Sequence, residues 1–384
     1  MKKKYKYILV ENGIYINDRV NLVTLFFLLY YRTKSFFYFS RLSKSKWFNI
    51  LPLPIIRAIR VMHFFLKRNT TPIRIIESDI YGHCLLTLRQ GEYKVFNLKK
   101  KTVETYFPDI SDPAFLGKVS KLIQINDMLI APKIVDIDSS KKTIKEQYFN
   151  YYSLQSLKCK MKQEIKDVLY QLLKYRPPKK VKLQKYIDIK VRKIEEYLLN
   201  YESNMNINKI KKFTSSRLLE LGKQIDSEEL NLHFSHGDLW DGNVLVHGNN
   251  FIVIDWNTYG YRSPFFDTFY YVFIEFFKDK KVEKLSVIYA NNRMKELIAS
   301  IIERDDTFFS QRITDENIKH IITKYINIFI IELIYLKLDL ENDRKCPNHL
   351  EETVTWVVRC EEFLKFCEIN KCFERETLFN REAL

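Results

Sequence analysis

The stretch 232–255 constrains the fold of this chain more than any other part of its sequence. Leu-His-Phe at 232–234 has the pattern of a short strand that enters a polar loop, His236-Gly237-Asp238-Leu239-Trp240-Asp241-Gly242-Asn243. A second strand at 244–246 leaves the loop, and His-Gly-Asn-Asn at 247–250 provides a turn that tolerates positive φ. A third strand at 251–254 ends at Asp255. The stretch therefore predicts a loop followed by a hairpin, with Asn243 and Asp255 on one side of that hairpin.

The polar residues of this stretch have the types and spacing that phosphoryl transfer to a hydroxyl requires. They fit H-x-D-L-x-x-x-N, the catalytic loop of kinase-type phosphotransferases. At average residue usage, four such residues at fixed spacing arise about once in 10⁵–10⁶ starting positions. One carboxylate can meet the attacking hydroxyl, while an amide oxygen and a second carboxylate can hold Mg²⁺ against a triphosphate. The alternative is a surface loop in which Asp and Asn serve turns, a role that suits Asp241 best.

Residues 233–270 resemble the aminoglycoside phosphotransferase and choline kinase family, which also includes kinases of lipopolysaccharide core sugars. The shared features are an H-G-D loop, an Asn five residues after the Asp, and I-D-W in place of D-F-G. A proline, an aromatic residue and Asp267 follow, as is usual in that family. The resemblance implies an α+β, bilobal, protein-kinase-like fold with a small β-rich nucleotide lobe and a larger, mostly helical lobe. It also implies ATP and Mg²⁺ as cofactors, and a small-molecule or glycan hydroxyl as the acceptor.

The same resemblance implies a role for each site residue. Asp238 would be the catalytic base or would orient the acceptor hydroxyl, and Asn243 and Asp255 would hold Mg²⁺. His236 would brace the loop. Asp267 would cap the following helix and accept hydrogen bonds from amides of the loop, with a plain N-cap as the alternative. Trp240 and Trp256, which flank these residues in the sequence, would either stack on an acceptor sugar or close the pocket.

The expected nucleotide lobe departs from the family pattern. It contains no G-x-G-x-x-G, and Glu104 or Thr105 stands where the phosphate-binding lysine is expected. The helix that should supply a partner Glu carries Lys118 and Lys121 instead. A second interpretation is therefore a pseudokinase, a nucleotide-binding or scaffold module with little catalytic activity. The candidates that remain open as phosphate ligands are Lys94, Lys99, Lys100 and Lys101.

Residue patterns divide the chain into three predicted regions. A basic amphipathic N-terminal extension covers 1–70, a nucleotide-binding lobe 71–152, and a helical catalytic and acceptor-binding lobe 153–384. In the last region we expect helices broken at Pro177-Pro178, a buried core helix at 322–338, and a frayed polar tail from Glu368. In the nucleotide lobe, strands are predicted at 74–78, 84–88, 93–97, 102–107, 132–137 and 143–148, and a helix at 112–124.

The formal net charge of +16 bears on the partners of the chain. No motif for binding RNA or DNA accompanies the lysine clusters, so we expect no nucleic-acid partner. General solvation of the surface remains one explanation, and attraction to an anionic membrane surface or an anionic substrate is the other. Since aminoglycosides are cationic, a basic chain favours an anionic or lipid-linked envelope sugar as the acceptor.

The segment 52–68 adds a structural reason to consider a membrane surface. Helical spacing puts Ile55, Ile59 and Met62 on one face, with basic residues that include Arg57 and Arg60 opposite. Such a helix can lie in a membrane interface or pack on its own domain. The apolar run at 20–31 is too short to span a bilayer, which takes about 20 residues. The expected location is cytoplasmic, with peripheral association at the inner face of the membrane left open.

Overall fold

A computed structural model of the chain describes residues 4–11, 13–36, 52–68, 74–88, 91–157, 162–201, 205–222, 229–277, 282–304, 314–344 and 350–369. Nearly all of the tail that we expect to fray lies outside these residues. Among the described residues, the strands and helices follow in the order β1 Tyr5–Glu11, β2 Ile14–Asn17, α1 Leu22–Arg32, α2 Leu53–Arg68, β3 Ile75–Ser78, β4 Cys84–Thr87, β5 Tyr93–Asn97, β6 Thr102–Tyr106, α3 Asp112–Ile125, β7 Ile134–Asp138, β8 Thr143–Gln147, β9 Tyr152–Ser153, α4 Leu154–Leu157, α5 Lys162–Lys174, β10 Lys179–Lys182, α6 Leu183–Leu199, α7 Met205–Gly222, β11 Glu229–Ser235, β12 Val244–His247, β13 Asn250–Val253, β14 Gly260–Arg262, α8 Phe266–Phe277, α9 Lys284–Ile302, α10 Asp315–Arg344 and α11 Leu350–Ile369.

The first of two compact units comprises residues 1–162 and 241–257. Its main element is an eight-stranded antiparallel sheet in the order β3-β1-β2-β4-β5-β6-β8-β7. Strands β1 and β2 lie inside this sheet, although the sequence places them in an N-terminal extension. The buried hydroxyl of Tyr7 in β1 donates to the carbonyl of Ile80 at 2.7 Å and accepts from the amide of Gly82 at 2.8 Å. Because this pairing joins residues more than 70 positions apart, local sequence patterns do not reveal it. The three-part division at 70 and 152 stays a prediction.

Helices α1 and α2 share an apolar core with one face of the sheet. Leu25 and Leu29 of α1, Val61 of α2 and Ile16 of β2 are all buried in one cluster. The side chain of Asn21 caps α1, accepting hydrogen bonds from the amides of the second and third residues beyond it at 2.9 and 3.3 Å. The apolar run at 20–31 is therefore used to cover the sheet.

The prediction that Arg57 lies on the exposed basic face of the helix at 52–68 is wrong. Sequence spacing puts this residue on the exposed basic face, yet it is 2% exposed. Its guanidinium donates to the carbonyls of Tyr30 at 2.8 Å and of Leu29 and Thr33 at 3.2 Å. The last carbonyls of a helix lack intrahelical partners, so Arg57 satisfies the C-terminal end of α1. Burial lowers the pKa of Arg57 from its ordinary value. The side chains of residues 64–68 lie outside the described residues.

The second unit comprises residues 163–240 and 258–384. Its central helix is α10, which packs against α6, α7, α8, α9 and α11 and contains the segment 322–338 predicted to be buried. Aromatic side chains hold three of these helices together, since the ring of Phe273 lies 5.2 Å from that of Phe329 and 5.0 Å from that of Phe363. The predicted α+β class is confirmed.

Two strands of the second unit, β10 and β14, are missing from the sequence prediction. The helices do break at Pro177-Pro178, but the next four residues form β10, which pairs with β11 in a three-stranded sheet, β10-β11-β14. The sequence of β10, Lys-Lys-Val-Lys, lacks the apolar alternation typical of a strand. It is a strand because it pairs with β11. No helix formed by the described residues is both long and apolar enough to cross a bilayer.

Candidate active site

The polar loop after β11 depends on a glycine that no other residue can replace without strain. Gly237 has a φ of +83°, in the left-handed region. A Cβ on Gly237 would lie 2.4 Å from the carbonyl oxygen of Thr258. The hydroxyl of Thr258 also donates to the carbonyl of His236 at 3.0 Å. The chain that follows β11 thus packs closely on residue 258, and this contact fixes the course of the loop.

Asp267 holds the same loop from the first turn of α8. Its carboxylate accepts from the backbone amides of His236 at 2.8 Å and Gly237 at 2.9 Å. Asp267 is 7% exposed, so these charge-assisted hydrogen bonds lie largely out of water. His236 is buried, and its Nδ1 accepts from the amide of Asp238 at 3.2 Å. Both residues therefore contact the loop that carries Asp238.

A buried carboxylate of α10 fixes the segment between β14 and α8. Glu332 accepts from the amide of Ser263 at 2.8 Å, from its hydroxyl at 2.5 Å and from the hydroxyl of Tyr186 at 2.5 Å. Two residues later, Phe265 has a φ of +64°, a conformation that aromatic residues rarely adopt. Strain of this kind persists only where the surroundings impose it. The clamp on Ser263 and the burial of Phe265 supply that constraint, and they set where α8 begins.

Asp238, the candidate base, is half-buried and interacts with a tyrosine of α8. The hydroxyl of Tyr270 lies 2.6 Å from Oδ1 of Asp238. Burial, the charge of Asp238 and the hydrogen bond to it raise the pKa of Tyr270 well above its ordinary value. The phenol therefore stays protonated. Nothing in the sequence spacing of Tyr270 links it to the loop.

The two candidate Mg²⁺ ligands lie in the first unit, where the hairpin brings them together. Strands β12 and β13 are antiparallel, and Val244 pairs with Val253 at the end of the hairpin that is nearest to the loop. At this end, the amide of Ile254 donates to the carbonyl of Asn243 at 2.9 Å. Asp255 is the next residue after Ile254, so it lies close to Asn243. Asp255 has a φ of +66° and is exposed, and the side-chain amide of Asn257 donates to its Oδ1 at 2.5 Å.

This donor set fits Mg²⁺ chemically. An amide oxygen and a carboxylate are hard oxygen ligands, and Mg²⁺ usually combines one or two such protein groups with phosphates and water. The left-handed backbone at Asp255 is an unusual conformation of a kind that clusters at functional sites. Within the ranges that the structure describes, no three or more His, Cys, Asp or Glu side chains form a metal-binding cluster.

Among the four candidate lysines, the sheet register distinguishes Lys94. Lys94 of β5 is opposite Thr105 of β6, and Glu146 of β8 is opposite Val103 of β6. Because side chains alternate along a strand, Lys94 and Glu146 project from the same face. Burial raises the pKa of Glu146, the charge of Lys94 lowers it, and the charge of Asp255 raises it. Lys94, Glu146 and Asp255 therefore share one electrostatic environment.

The other lysine candidates and the substituted positions have different surroundings. Lys99, Lys100 and Lys101 are exposed at the turn between β5 and β6. Glu104, at one of the two positions where the phosphate-binding lysine is expected, forms an ion pair with Lys145 at 3.1 Å. Lys118 of α3 pairs with Glu92 at 3.4 Å.

The two tryptophans differ in their surroundings. Trp256 is buried, and its ring nitrogen donates to the carbonyl of Val253 at 2.7 Å. This hydrogen bond stabilises the end of the hairpin. Trp240 is half-buried.

Three further residues near the candidate site carry no signal in the sequence that links them to it. Tyr270 contacts Asp238, Glu146 shares the electrostatic environment of Lys94 and Asp255, and Glu332 holds Ser263 just before α8.

Residues 184–286 match the sequence profile of the phosphotransferase enzyme family. This stretch contains every candidate residue of the loop, the hairpin and the start of α8. The resemblance expected from the sequence is confirmed over it, and so is the predicted enzyme class, a kinase-type phosphotransferase. No curated protein is significantly similar to this sequence.

Several solved structures of small-molecule kinases are similar to the chain. A choline/ethanolamine kinase family protein from Mesorhizobium loti has 12% identity over 75% of this chain and 90% of that one, with a TM-score of 0.44. Choline kinase LicA from Streptococcus pneumoniae has 14% identity over 73% and 94%, with a TM-score of 0.45. Choline kinase from Cryptosporidium parvum has 15% identity over 74% and 89%, with a TM-score of 0.48.

Proposed function

We propose that this protein transfers the γ-phosphoryl group of ATP to a hydroxyl of a small molecule or a cell-envelope sugar. The observation that carries the proposal is the hairpin register that sets Asn243 beside Asp255, within a stretch matched to phosphotransferases. An amide oxygen and a carboxylate at one end of a hairpin are the groups that a Mg²⁺-nucleotide requires. Asp238, on a loop held by Asp267, supplies the carboxylate that such a reaction needs at the acceptor.

The proposed step is an in-line displacement at the γ-phosphorus. The acceptor oxygen forms a bond to phosphorus while the bond to the β–γ bridging oxygen breaks, so ADP leaves with that electron pair. The proton of the acceptor hydroxyl goes to the carboxylate of Asp238, which orients the hydroxyl beforehand. Asn243 and Asp255 would hold Mg²⁺, which when bound offsets negative charge on the phosphates. The protein contributes mainly position and electrostatics.

Lys94 is the residue that we propose as the phosphate ligand. It shares a face of the sheet with Glu146, and both lie in the electrostatic environment of Asp255. Glu146 would then hold the ammonium group of Lys94 in place. Helix α3 contains no Glu that could do so. The lysine would come from β5, while the adjacent strand β6 carries Glu104 and Thr105.

Separate variants of the two carboxylates test the proposed function. Because the acceptor is not identified, turnover is measured as release of ADP from Mg-ATP with water as acceptor, and binding by calorimetry with Mg-ATP. Asp238→Asn should lower ADP release by a factor on the order of 10²–10⁴ and leave ATP affinity within about twofold. Asp255→Asn should weaken Mg-ATP binding itself. Wild-type turnover in both variants would overturn the assignment.

The alternative is a pseudokinase-like module that binds nucleotide and does little chemistry. It is motivated by the nucleotide lobe, where Glu104 and Lys118 are engaged in ion pairs of their own. Tight Mg-ATP binding without ADP release, in water or with a panel of sugars and amino alcohols, would establish the alternative. ADP release stimulated by one member of the panel would exclude it and would identify the acceptor class.

We further infer that the first unit docks on an anionic membrane surface, where a lipid-linked acceptor sugar would be found. Two packed helices of this unit carry stripes of exposed large apolar side chains, and the same part of the chain contains exposed Arg32 and half-buried Lys34 and Arg60. The net charge of +16 complements anionic lipid headgroups. The stripes consist of Val23, Phe27 and Tyr31 on α1 and of Ile55, Ile59 and Met62 on α2.

Sedimentation with vesicles tests this surface. The protein should pellet with vesicles of phosphatidylcholine and phosphatidylserine and remain in solution with phosphatidylcholine alone. The double variant Phe27→Ser/Ile59→Ser should lose most of this binding. Leu129→Ser is the matched control, since Leu129 belongs to the same unit and is 88% exposed. Equal pelleting of the double variant and the control, or no pelleting of the wild type, would contradict the inference.

A further inference from the structure

A chain of polar contacts leads from Asp238 into the core of the second unit. Oδ1 of Asp238 is 2.6 Å from the hydroxyl of Tyr270, and that hydroxyl is 3.3 Å from the ammonium of Lys337. Lys337 in turn lies 3.4 Å from a carboxylate oxygen of Glu352. The four residues come from the loop, α8, α10 and α11. The contacts therefore connect the candidate base to a charge on a helix remote from it in sequence.

The direction of these hydrogen bonds follows from the chemistry of the groups. An ammonium group donates and cannot accept, so the oxygen of Tyr270 accepts from Lys337. The phenol has one proton, and its remaining partner is a carboxylate. Tyr270 must therefore donate to Asp238. Positive charge behind the phenol polarises its O–H group and strengthens this bond.

The burial of Lys337 is costly and has no packing rationale. Lys337 is 8% exposed and Tyr270 is 2% exposed. The rings of Tyr270 and Trp356 lie beside the ammonium, each with its centroid 5.5 Å away, which offsets part of the cost. A buried ion pair can often be replaced by apolar residues of similar volume without loss of stability. Packing alone would favour Met or Leu at 337.

We propose that Tyr270 and Lys337 are positioning residues, which fix the orientation of the Asp238 carboxylate for the acceptor hydroxyl. This inference rests on the proposed function, because it assumes that Asp238 meets the acceptor. Tyr270 holds one carboxylate oxygen, and Lys337 holds Tyr270. Neither residue needs to touch a substrate, and the geometry of the base is set from within the helical core.

Turnover of Mg-ATP with water as acceptor provides the test. Tyr270→Phe keeps the ring and removes the hydroxyl, and it should lower kcat by roughly 10–100-fold with the KM for ATP unchanged within about twofold. Tyr197→Phe is the matched control: it removes a half-buried phenol that donates to a different carboxylate, Asp339, and should keep wild-type kcat. Lys337→Met should lower kcat, while Lys337→Arg, which keeps the charge, should restore most of it.

A double-mutant cycle separates positioning from general damage. In an Asp238→Asn background, Tyr270→Phe should cause no further loss, because the group that it orients is already changed. An equal loss in both backgrounds, or wild-type kcat in Tyr270→Phe, would overturn the inference while Asp238→Asn alone still tests the proposed function. If Tyr270→Phe does not fold, the comparison of Lys337→Met with Lys337→Arg decides. Equal activity of those two variants would also count against the proposal.

Discussion

The carboxylate of Asp267 accepts a hydrogen bond from the backbone amide of His236 at 2.8 Å, and a second from the next amide at 2.9 Å. A single side chain at the start of α8 thereby fixes two consecutive peptide groups of the loop that carries Asp238. The loop is held by charge-assisted bonds from one direction and by close packing from another. Each constraint can be removed separately.

Asp267→Asn should loosen this loop. An amide side chain has one acceptor oxygen, so one of the two backbone amides loses its partner and the negative charge is gone. We expect a loss of about 1–3 kcal/mol in the free energy of unfolding and a lower kcat. Urea unfolding and ADP release measure the two effects. Asp315→Asn is the control, because Asp315 also lies in the first turn of a helix but is exposed. Equal effects of the two substitutions would contradict the role of Asp267.

Gly237→Ala should be far more damaging than Gly248→Ala. Both glycines have positive φ, of +83° and +57°. Gly248 has nothing within 4 Å of a Cβ, so its substitution costs only the backbone strain, about 1–2 kcal/mol. At Gly237 the same strain is joined by a clash with the carbonyl of Thr258. Thermal unfolding of the two variants gives the comparison, and similar melting temperatures would show that the loop has room to move.

Lys94→Met should weaken Mg-ATP binding, whereas Lys99→Met should not. Lys94 shares its face of the sheet with Glu146, while Lys99 is exposed beyond the end of β5. Methionine keeps most of the length of the lysine side chain and removes its charge. Calorimetric titration should give an affinity at least about tenfold lower for Lys94→Met, the equivalent of roughly 1.4 kcal/mol. Unchanged affinity in Lys94→Met would return the choice of lysine to the other candidates.

Glu332 should make stability depend on pH. Burial raises its pKa, although Ser263, Tyr186 and Lys190 oppose the shift. The folded protein therefore binds more protons at this site than the unfolded chain, whose Glu titrates near 4.3. The contribution of the protonated group is complete below about pH 4 and declines as the pH rises through the raised value. Glu332→Gln removes this titration, and its amide can serve the same partners once the Ser263 hydroxyl rotates.

Urea unfolding of Glu332→Gln and the wild type at several pH values between 4 and 8 provides the measurement. The stability of the wild type relative to the variant should fall as the pH rises. Glu303→Gln, at an exposed position in the same unit, is the control. A difference between wild type and Glu332→Gln that stays constant over this range would mean that Glu332 titrates alike in both states.

Local sequence patterns were sufficient to predict the spacing of the candidate ligands and the positions of most strands and helices. Asn243 and Asp255 are separated by a hairpin whose turn residues and alternation set the register, so their proximity follows from a few consecutive residues. The same holds for the strands and the helix of the nucleotide lobe. Patterns failed where the partner is distant. Arg57 has the spacing of a solvent-facing residue, and only the end of α1 explains its burial.

By itself, the sequence determined the residue types and spacing of the loop, the hairpin that joins Asn243 to Asp255, and the positive net charge of the chain. These properties depend on short-range geometry and on composition. Tertiary structure decided that β1 and β2 enter the sheet, that Lys94 shares a face with Glu146, and that Tyr270 and Lys337 stand behind Asp238. The physical reason is that pairing across a sheet and packing between helices join residues tens to more than a hundred positions apart, and no local periodicity carries that information.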